Sequence, residues 1–459
     1  MFRVFRVYIS ARVATLLASE FTIAYLSYVA ATLVWLRPDA PVFLAADNGW
    51  LRISIVSICL MLGIYFHDLY TNLSAGPREL LQKVGVVAGT AFLTEAILVY
   101  LKLQQLVVPA GPMIAGSALS SAGLLLWRLF FCRVLLKKMH SERVMFVGSS
   151  PIVREVAKHL EEHPEKGLRS IGFLDEASPP QGDALGAISD LNAMVDRFHP
   201  DRIVIGLRER RAALPVLQLL ELRLSGIQIE DVLSTYEMAF ERISTNELRP
   251  SQLIFSSSEL GPSRFGLLMQ SISSAIIAAA AVVICAPIML LVAALVKATS
   301  AGPALYCQQR VGKNNRIFTL YKFRSMVCDA EAHSGAVWAR RNDPRITPVG
   351  RWLRRLRLDE LPQLFNVLKG DMSIVGPRPE RPEFVAELER RIPYYRQRHC
   401  IKPGITGWAQ IKHKYGDTID DAIAKLEYDL YYIKNLAPAL DAVIMFHTAK
   451  VMLLSRGAQ

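Results

Sequence analysis

Four apolar stretches, residues 15–36, 53–66, 84–100 and 109–136, follow one another within the first 140 residues and are separated by short polar links. Runs of this kind predict helices that cross a bilayer, whose hydrocarbon core of about 30 Å takes roughly 20 apolar residues in helical form. The second run is short, because His67 and Asp68 close it early, so its helix borrows residues from Asn48 onward. Arg3, Arg6 and Arg12 precede the first run as they would a signal peptide, but no small-residue cleavage site follows and three more apolar runs do. Arg133, Lys137, Lys138 and Arg143 follow the fourth run, and Lys102 is almost alone between the third and fourth. The positive-inside bias therefore places both ends of this four-helix transmembrane bundle in the cytoplasm.

From residue 143 the period changes. The short strands RVMFVG, SIGFLDE, DRIVIGL and IQIEDV alternate with helical runs at 153–162 and 214–224, which predicts a doubly wound, Rossmann-like α/β module. Its first strand ends at Gly148-Ser149-Ser150-Pro151, and Ser150 occupies the place where a second glycine would admit a pyrophosphate. A structural or regulatory module is expected there rather than a dinucleotide site. A fifth apolar run, 265–298, contains Pro287, which has no N–H and clashes with the carbonyl of Val283, so a bend near its middle is expected. Two geometries stay open on pattern alone, a full crossing and a helix-break-helix that returns to its own side. Residues 439–454, apolar apart from Asp441, His447 and Lys450, predict an interfacial amphipathic helix, with a further span as the rival.

Composition sharpens this picture in two ways. Hydrophobic residues make up 52% of the chain and the mean hydropathy is +0.26, high for a soluble protein, while 459 residues imply two or three domains. The net charge is +12, and residues 301–459, with 26 basic against 16 acidic side chains, carry +10 of it, so the last third favours anionic partners. The six cysteines are scattered without a C-x-x-C pair or zinc spacing and read as reduced.

The candidate chemistry lies in that basic third. Arg351, Arg354, Arg355 and Arg357 lead into Asp359-Glu360, with Pro362 just behind and Gly370 further on, which predicts a helix beginning at Asp359. A carboxylate at the positive end of a helix among guanidinium groups stays ionised, ready to act as nucleophile or metal ligand. Phosphoryl transfer needs an in-line nucleophile, cations on the non-bridging oxygens and usually Mg²⁺, and a carboxylate can hold the transferred group covalently. The plainer reading makes Asp359 a helix cap and the arginines a solvated face.

The motifs KFRSM, LDELPQL, NVLKGDMS, VGPRP and KPGITGWAQ occur in this order between residues 265 and 454. On them the chain resembles the polyprenyl-phosphate glycosyl-1-phosphate transferases, the bacterial sugar transferase family that starts exopolysaccharide and lipid-linked glycan assembly. Its N-terminal helices and α/β module resemble the long members. The resemblance implies that Asp359 attacks the β-phosphate of a UDP-sugar and releases UMP, with Glu360 as dyad partner and Mg²⁺ held near Asp359 and Glu360. Arg354 and Arg378 match arginines that contact substrate phosphates, and their planar forks suit that role. Lys322 and Arg324 in KFRSM are further site candidates. Lys414 stands where an arginine is usual, keeping the charge and losing the bidentate geometry.

The resemblance also implies a re-entrant helix broken at Pro287, a cytoplasm-facing catalytic domain at the bacterial inner membrane, polyprenyl phosphate as acceptor and a homodimer, with no nucleic-acid partner. The expected architecture is a transmembrane bundle (1–140), a Rossmann-like module (141–260), the re-entrant helix (261–300) and an α-rich α+β catalytic domain (301–459). Two other functions compete. A membrane-bound NAD-dependent nucleotide-sugar dehydratase or epimerase is opposed by the broken glycine fingerprint and by the lack of Y-x-x-x-K between 143 and 250. A non-enzymatic basic domain docking anionic lipid or nucleic acid leaves the acidic dyad unexplained.

Overall fold

The computed structural model describes residues 2–4, 7–70, 73, 76–175, 184–207, 214–245, 264–328, 343–413, 416 and 418–453. The chain divides into two compact units, Tyr8–Glu230 with Met1–Phe2, and Asp231–Gln459 with Arg3–Val7. Five helices among the described residues are long and apolar enough to cross a membrane, which makes this a multi-pass membrane protein.

Four of those helices open the first unit: α1 (Ala11–Leu36), α2 (Gly49–Phe66), α3 (Pro77–Tyr100) and α4 (Ala110–Phe130). They pack around one core that includes Leu16, Tyr28, Ile53, Leu60, Val87 and Phe131. Outward positions such as Val34, Leu93 and Leu126 remain exposed, as lipid-facing side chains do. One buried pair of charges lies inside this core. Arg128 donates from Nε and Nη2 to Glu20 at 2.7 and 2.9 Å and from Nη1 to the Leu69 carbonyl at 2.9 Å, and the Tyr70 hydroxyl donates to the same carboxylate at 2.7 Å. Every charge buried in an apolar bundle needs such partners, since either one alone would be left uncompensated.

The α/β part follows as β1 (Glu142–Val147), α5 (Pro151–Glu162), β2 (Leu168–Asp175), β3 (Gly186–Ala187), α6 (Leu191–Phe198), β4 (Arg202–Ile205), α7 (Val216–Leu224) and β5 (Gln228–Asp231). The strands lie in the order β3-β2-β1-β4-β5, and β1 pairs in parallel with both β2 and β4, so the chain reverses its winding direction between β1 and β4. The near-continuous apolar strands Met145, Val147, Leu174 and Ile203 are buried between helices, as a parallel sheet covered on its faces requires.

The second unit begins with α8 (Val232–Phe240), whose Glu237 accepts from Lys434 Nζ at 2.6 Å and from Asn435 Nδ2 at 3.0 Å. Helix α9 (Arg264–Thr299) runs 36 residues with Pro287 inside it. The break expected at Pro287 is absent as an interruption, because one missing donor removes a single rung of a ladder whose flanks are both held. Ala278 packs with Leu320, Leu364 and Met372, while Met289, Val292 and Val296 pack with Phe323 and Leu353. Ile276, Val283, Ile284, Leu290 and Leu291 point away and are exposed.

The antiparallel hairpin β6 (Leu305–Val311) and β7 (Ile317–Phe323) comes next, then α10 (Pro348–Arg355) and α11 (Gln363–Lys369). Strand β8 (Ser373–Val375) and helix α12 (Pro382–Arg391) precede β9 (Gly404–Thr406), which pairs in parallel with β8. Helices α13 (Trp408–Lys412), α14 (Ile419–Lys434) and α15 (Pro438–Leu453) complete the unit, and Ile444 of α15 is fully buried among Tyr431, Tyr432 and Leu436.

Candidate active site

The acidic pair is presented by two short helices joined at a corner. Thr347 caps α10 by accepting from the Gly350 N–H at 2.9 Å, with Pro348 in the first turn where its missing donor costs nothing. A Cβ on Gly350 would stand 2.0 Å from the Ser325 carbonyl oxygen, so only glycine lets α10 approach the strand exit this closely. The chain then turns at Arg357, which is left-handed (φ 54°), and Leu358–Glu360 form one 3₁₀ turn before α11. Pro362 and Gly370 flank α11 as expected, Gly370 at φ 84° closing it, but Asp359 lies in the preceding turn rather than at the helix start.

Helix α11 is fixed to the hairpin by one side chain. The fully buried Asn366 accepts from the Tyr321 N–H at 3.1 Å and donates to the Thr319 carbonyl at 2.7 Å, completing the backbone bonds that β7 lacks on that edge. Leu364 and Val367 on the same helix pack against Ala278 of α9.

The two carboxylates occupy different environments. Glu360 Oε1 accepts from Arg378 Nη2 at 2.8 Å and Lys322 Nζ at 3.3 Å, and its Oε2 faces Arg357 Nη1 at 3.5 Å. Burial pushes the Glu360 carboxyl up, but Arg378, Lys322 and Arg357 together hold it well below the usual carboxylate range. Asp359 is 8% exposed, and among the described residues its carboxylate has no hydrogen-bond or ion-pair partner. Burial raises its pKa, the Glu360 charge adds to that, and Lys322, Arg354 and Arg378 oppose it. The helix expected to begin at Asp359 begins beyond it, and the cations make their direct contacts with Glu360, while Lys322, Arg354 and Arg378 favour the Asp359 carboxylate through their field alone.

Of the other anticipated residues, Lys322 and Arg378 converge on the dyad. Arg354 lies within electrostatic reach of Asp359, and its buried Nη1 has no hydrogen-bond partner among the described residues, so it presents an unused donor. Arg324 is elsewhere: it donates to the carbonyls of Ser300 and Ala301 and to Ser300 Oγ, closing the C-terminal end of α9. Lys414 lies outside the described residues. Reading by motif overlooked Arg357 as a dyad partner, although its place three residues before Glu360 was a usable signal. It also overlooked a cleft of about 130 Å³ that opens beside Glu360 and Arg357 and is walled by Leu361, Leu364, Ile405 and Met452. Those apolar residues are spread over two motifs and the last helix and meet only in the fold.

The fold and this site define a multi-pass membrane protein whose C-terminal unit buries an acidic pair among lysine and arginine side chains. The family described as bacterial sugar transferase matches residues 266–455. The UDP-N-acetylgalactosamine-undecaprenyl-phosphate N-acetylgalactosaminephosphotransferase of Aeromonas hydrophila is 43% identical over 236 residues, covering 51% of this chain and 55% of the relative. The UDP-glucose:undecaprenyl-phosphate glucose-1-phosphate transferase of Klebsiella pneumoniae is 34% identical over 327 residues, 70% of this chain and 69% of the relative. The exopolysaccharide production protein PSS of Rhizobium leguminosarum is 46% identical over 177 residues, 38% of this chain and 88% of the relative. The chain belongs to the bacterial sugar transferase family. It spans little more than half the length of the Aeromonas relative.

Proposed function

We propose that this protein transfers a sugar 1-phosphate from a UDP-sugar to polyprenyl phosphate and releases UMP, through a phosphosugar held covalently on Asp359. A carboxylate oxygen of Asp359 attacks the β-phosphorus, the bond from that phosphorus to the bridging oxygen breaks, and UMP leaves. An oxygen of the lipid phosphate then attacks the same phosphorus, the bond to Asp359 breaks, and the carboxylate is restored with a polyprenyl diphosphate sugar as product. Two displacements through an enzyme nucleophile divide one difficult transfer. The observation that carries this reading is the division of labour in the dyad, with Glu360 tied to three cations and Asp359 buried beside it with unclaimed oxygens. Arg354 and Arg378 serve the donor's phosphates, for which the unpaired Nη1 of Arg354 is the available donor.

The donor set also fits Mg²⁺ of one kind. No cluster of three His, Cys, Asp or Glu side chains exists among the described residues, and both oxygens of Glu360 already face cations. Mg²⁺ commonly takes one or two carboxylates and completes its shell with substrate phosphates and water. Asp359 would therefore hold an ion that arrives with the nucleotide, and the ion would neutralise charge on the diphosphate. In this reading helix α9 is re-entrant by a bend at Pro287 that leaves the helix uninterrupted, entering and leaving the cytoplasmic leaflet of the inner membrane, and what supports this is that residues on both sides of Pro287 pack on the same catalytic unit.

The test is UMP release from a panel of UDP-sugars by the full chain in nanodiscs containing polyprenyl phosphate and Mg²⁺. Asp359→Asn should reduce turnover to background while the protein stays folded, and rapid quenching of the wild type with donor alone should leave a phosphosugar on the peptide containing residue 359. Turnover by the Asn variant, or a quenched peptide without the adduct, sinks the covalent route.

A further inference from the structure

Between β8 and α12 the chain passes through Pro377-Arg378-Pro379-Glu380, and each of these four carbonyls is held from outside. The Pro377 oxygen accepts from the Gly404 N–H at 2.9 Å, the Arg378 oxygen from Arg398 Nη2 at 3.1 Å, the Pro379 oxygen from Arg310 Nη1 at 3.0 Å, and the Glu380 oxygen from the Val311 N–H at 2.9 Å. Two of those donors are backbone amides of β6 and β9, which any sequence in that fold would supply. The other two are arginine side chains in positions that need an explanation, above all at Arg398, because an arginine at 6% exposure is costly unless its charge is paired.

Arg398 is such a residue. Its Nη2 forms an ion pair with Asp429 Oδ2 at 2.8 Å and donates to the Arg378 carbonyl, and its Nη1 donates to the Tyr395 hydroxyl at 2.5 Å, while its buried Nε has no hydrogen-bond partner among the described residues. Arg310 divides itself between Gln308 Oε1, at 2.6 and 3.1 Å, the Pro379 carbonyl and an ion pair with Glu380 Oε2 at 3.6 Å. With proline on both sides of residue 378, φ is already restricted at 377 and 379, and the two guanidinium groups fix what torsional freedom is left. The only side chain this clamped loop sends to the dyad is Arg378, 2.8 Å from Glu360 Oε1.

We propose that Arg398 and Arg310 are positioning residues for the transfer: they hold the Pro377–Glu380 loop by its carbonyls so that the Arg378 guanidinium is delivered to Glu360 and the donor phosphates. This rests on the reaction proposed above, and it adds a tier of residues that touch neither substrate nor dyad. A misplacement of about 1 Å at such a contact can lower turnover about a hundredfold.

The experiment uses the full chain in nanodiscs and removes the Arg398–Asp429 pair as a unit, Arg398→Met with Asp429→Leu, so that no lone charge stays buried. Turnover should fall about a hundredfold with Arg378 present, and should fall no further when the pair is removed from an Arg378→Ala background, because the interaction it serves is already gone. Arg310→Met should behave alike. Losses that multiply, or a pair variant as active as wild type, overturn the proposal. Amide hydrogen exchange read on the same proteins keeps the two readings apart. The pair variant should exchange faster at residues 357–361, with the hairpin 305–323 unchanged, whether or not any UDP-sugar is turned over. Unaltered exchange at 357–361 overturns the positioning role, whereas a wild type inert toward every UDP-sugar overturns only the assigned reaction.

Discussion

The two neighbouring carboxylates acquire opposite acidities because one has the cations and the other has only their field. For Asp359 burial is the largest influence, and it raises the pKa, so the carboxylate form, which the proposed attack requires, is present above that raised value and is lost as pH falls through it. Each neighbour then has a predictable sign. Lys322 lowers the Asp359 pKa, so Lys322→Gln should move the acid limb of kcat/KM to higher pH. Glu360 raises it, so in Glu360→Gln the limb of whatever activity survives should move to lower pH. Profiles of UMP release that shift together, or not at all, would remove Asp359 from the titration. These signs were not legible in the motif. LDELPQL shows two acids beside arginines, and only the fold shows that Arg378, eighteen residues on, chooses Glu360. Lys322 and Arg324 illustrate the same limit: two residues apart in one basic motif, one reaches the dyad and the other closes the end of α9.

At the scale of elements, far more could be read beforehand. The apolar runs became α1 to α4, the alternation of short strands and helices became a parallel sheet wound in both directions, and Pro362 and Gly370 bounded α11. Those features depend on local chemistry and on periods of 2 and 3.6 residues, which a sequence displays directly. The attachment of α11 to β7 could not be read, since Asn366 in NVLKG looks like any polar helix residue until its amide is found on two backbone groups of one strand. Asn366→Leu should leave the partly buried Tyr321 N–H and Thr319 carbonyl unpaired, at about 1 kcal/mol each, the low end of the cost for a buried group. A fall in thermal midpoint together with faster exchange at Tyr321 would show it, and an unchanged midpoint would deny Asn366 that role. Helix α9 carries its own prediction. A single cysteine at Arg264 and one at Lys297, each in a cysteine-free background, should both react with an impermeant maleimide from the cytoplasmic side, as a re-entrant helix requires. Labelling from opposite sides would establish a full crossing.

At the scale of the whole molecule the division near residue 230 separates what the sequence pattern had grouped together. Helix α8 follows β5 directly, yet its partners are in the catalytic unit: Glu237 on Lys434 and Asn435, the Glu241 carbonyl accepting from Trp408 Nε1 at 2.9 Å, and the Thr245 N–H donating to Glu427 at 2.9 Å. The family match, residues 266–455, falls wholly within the second unit. A chain cut before Asp231 should therefore fold in detergent and keep most of the UMP-releasing activity, because the dyad, its cations and the clamped loop all come from residues after 300. A chain cut before Arg264 should be less stable than that, since Asn435 is fully buried and would lose Glu237, and the Trp408 and Glu427 side chains would lose the backbone groups they bond. Comparing the thermal midpoints of the two truncations measures this difference. Equal midpoints would mean that α8 contributes nothing to the unit it packs against, and an inactive protein from the cut before Asp231 would mean that the reaction needs the N-terminal unit as well.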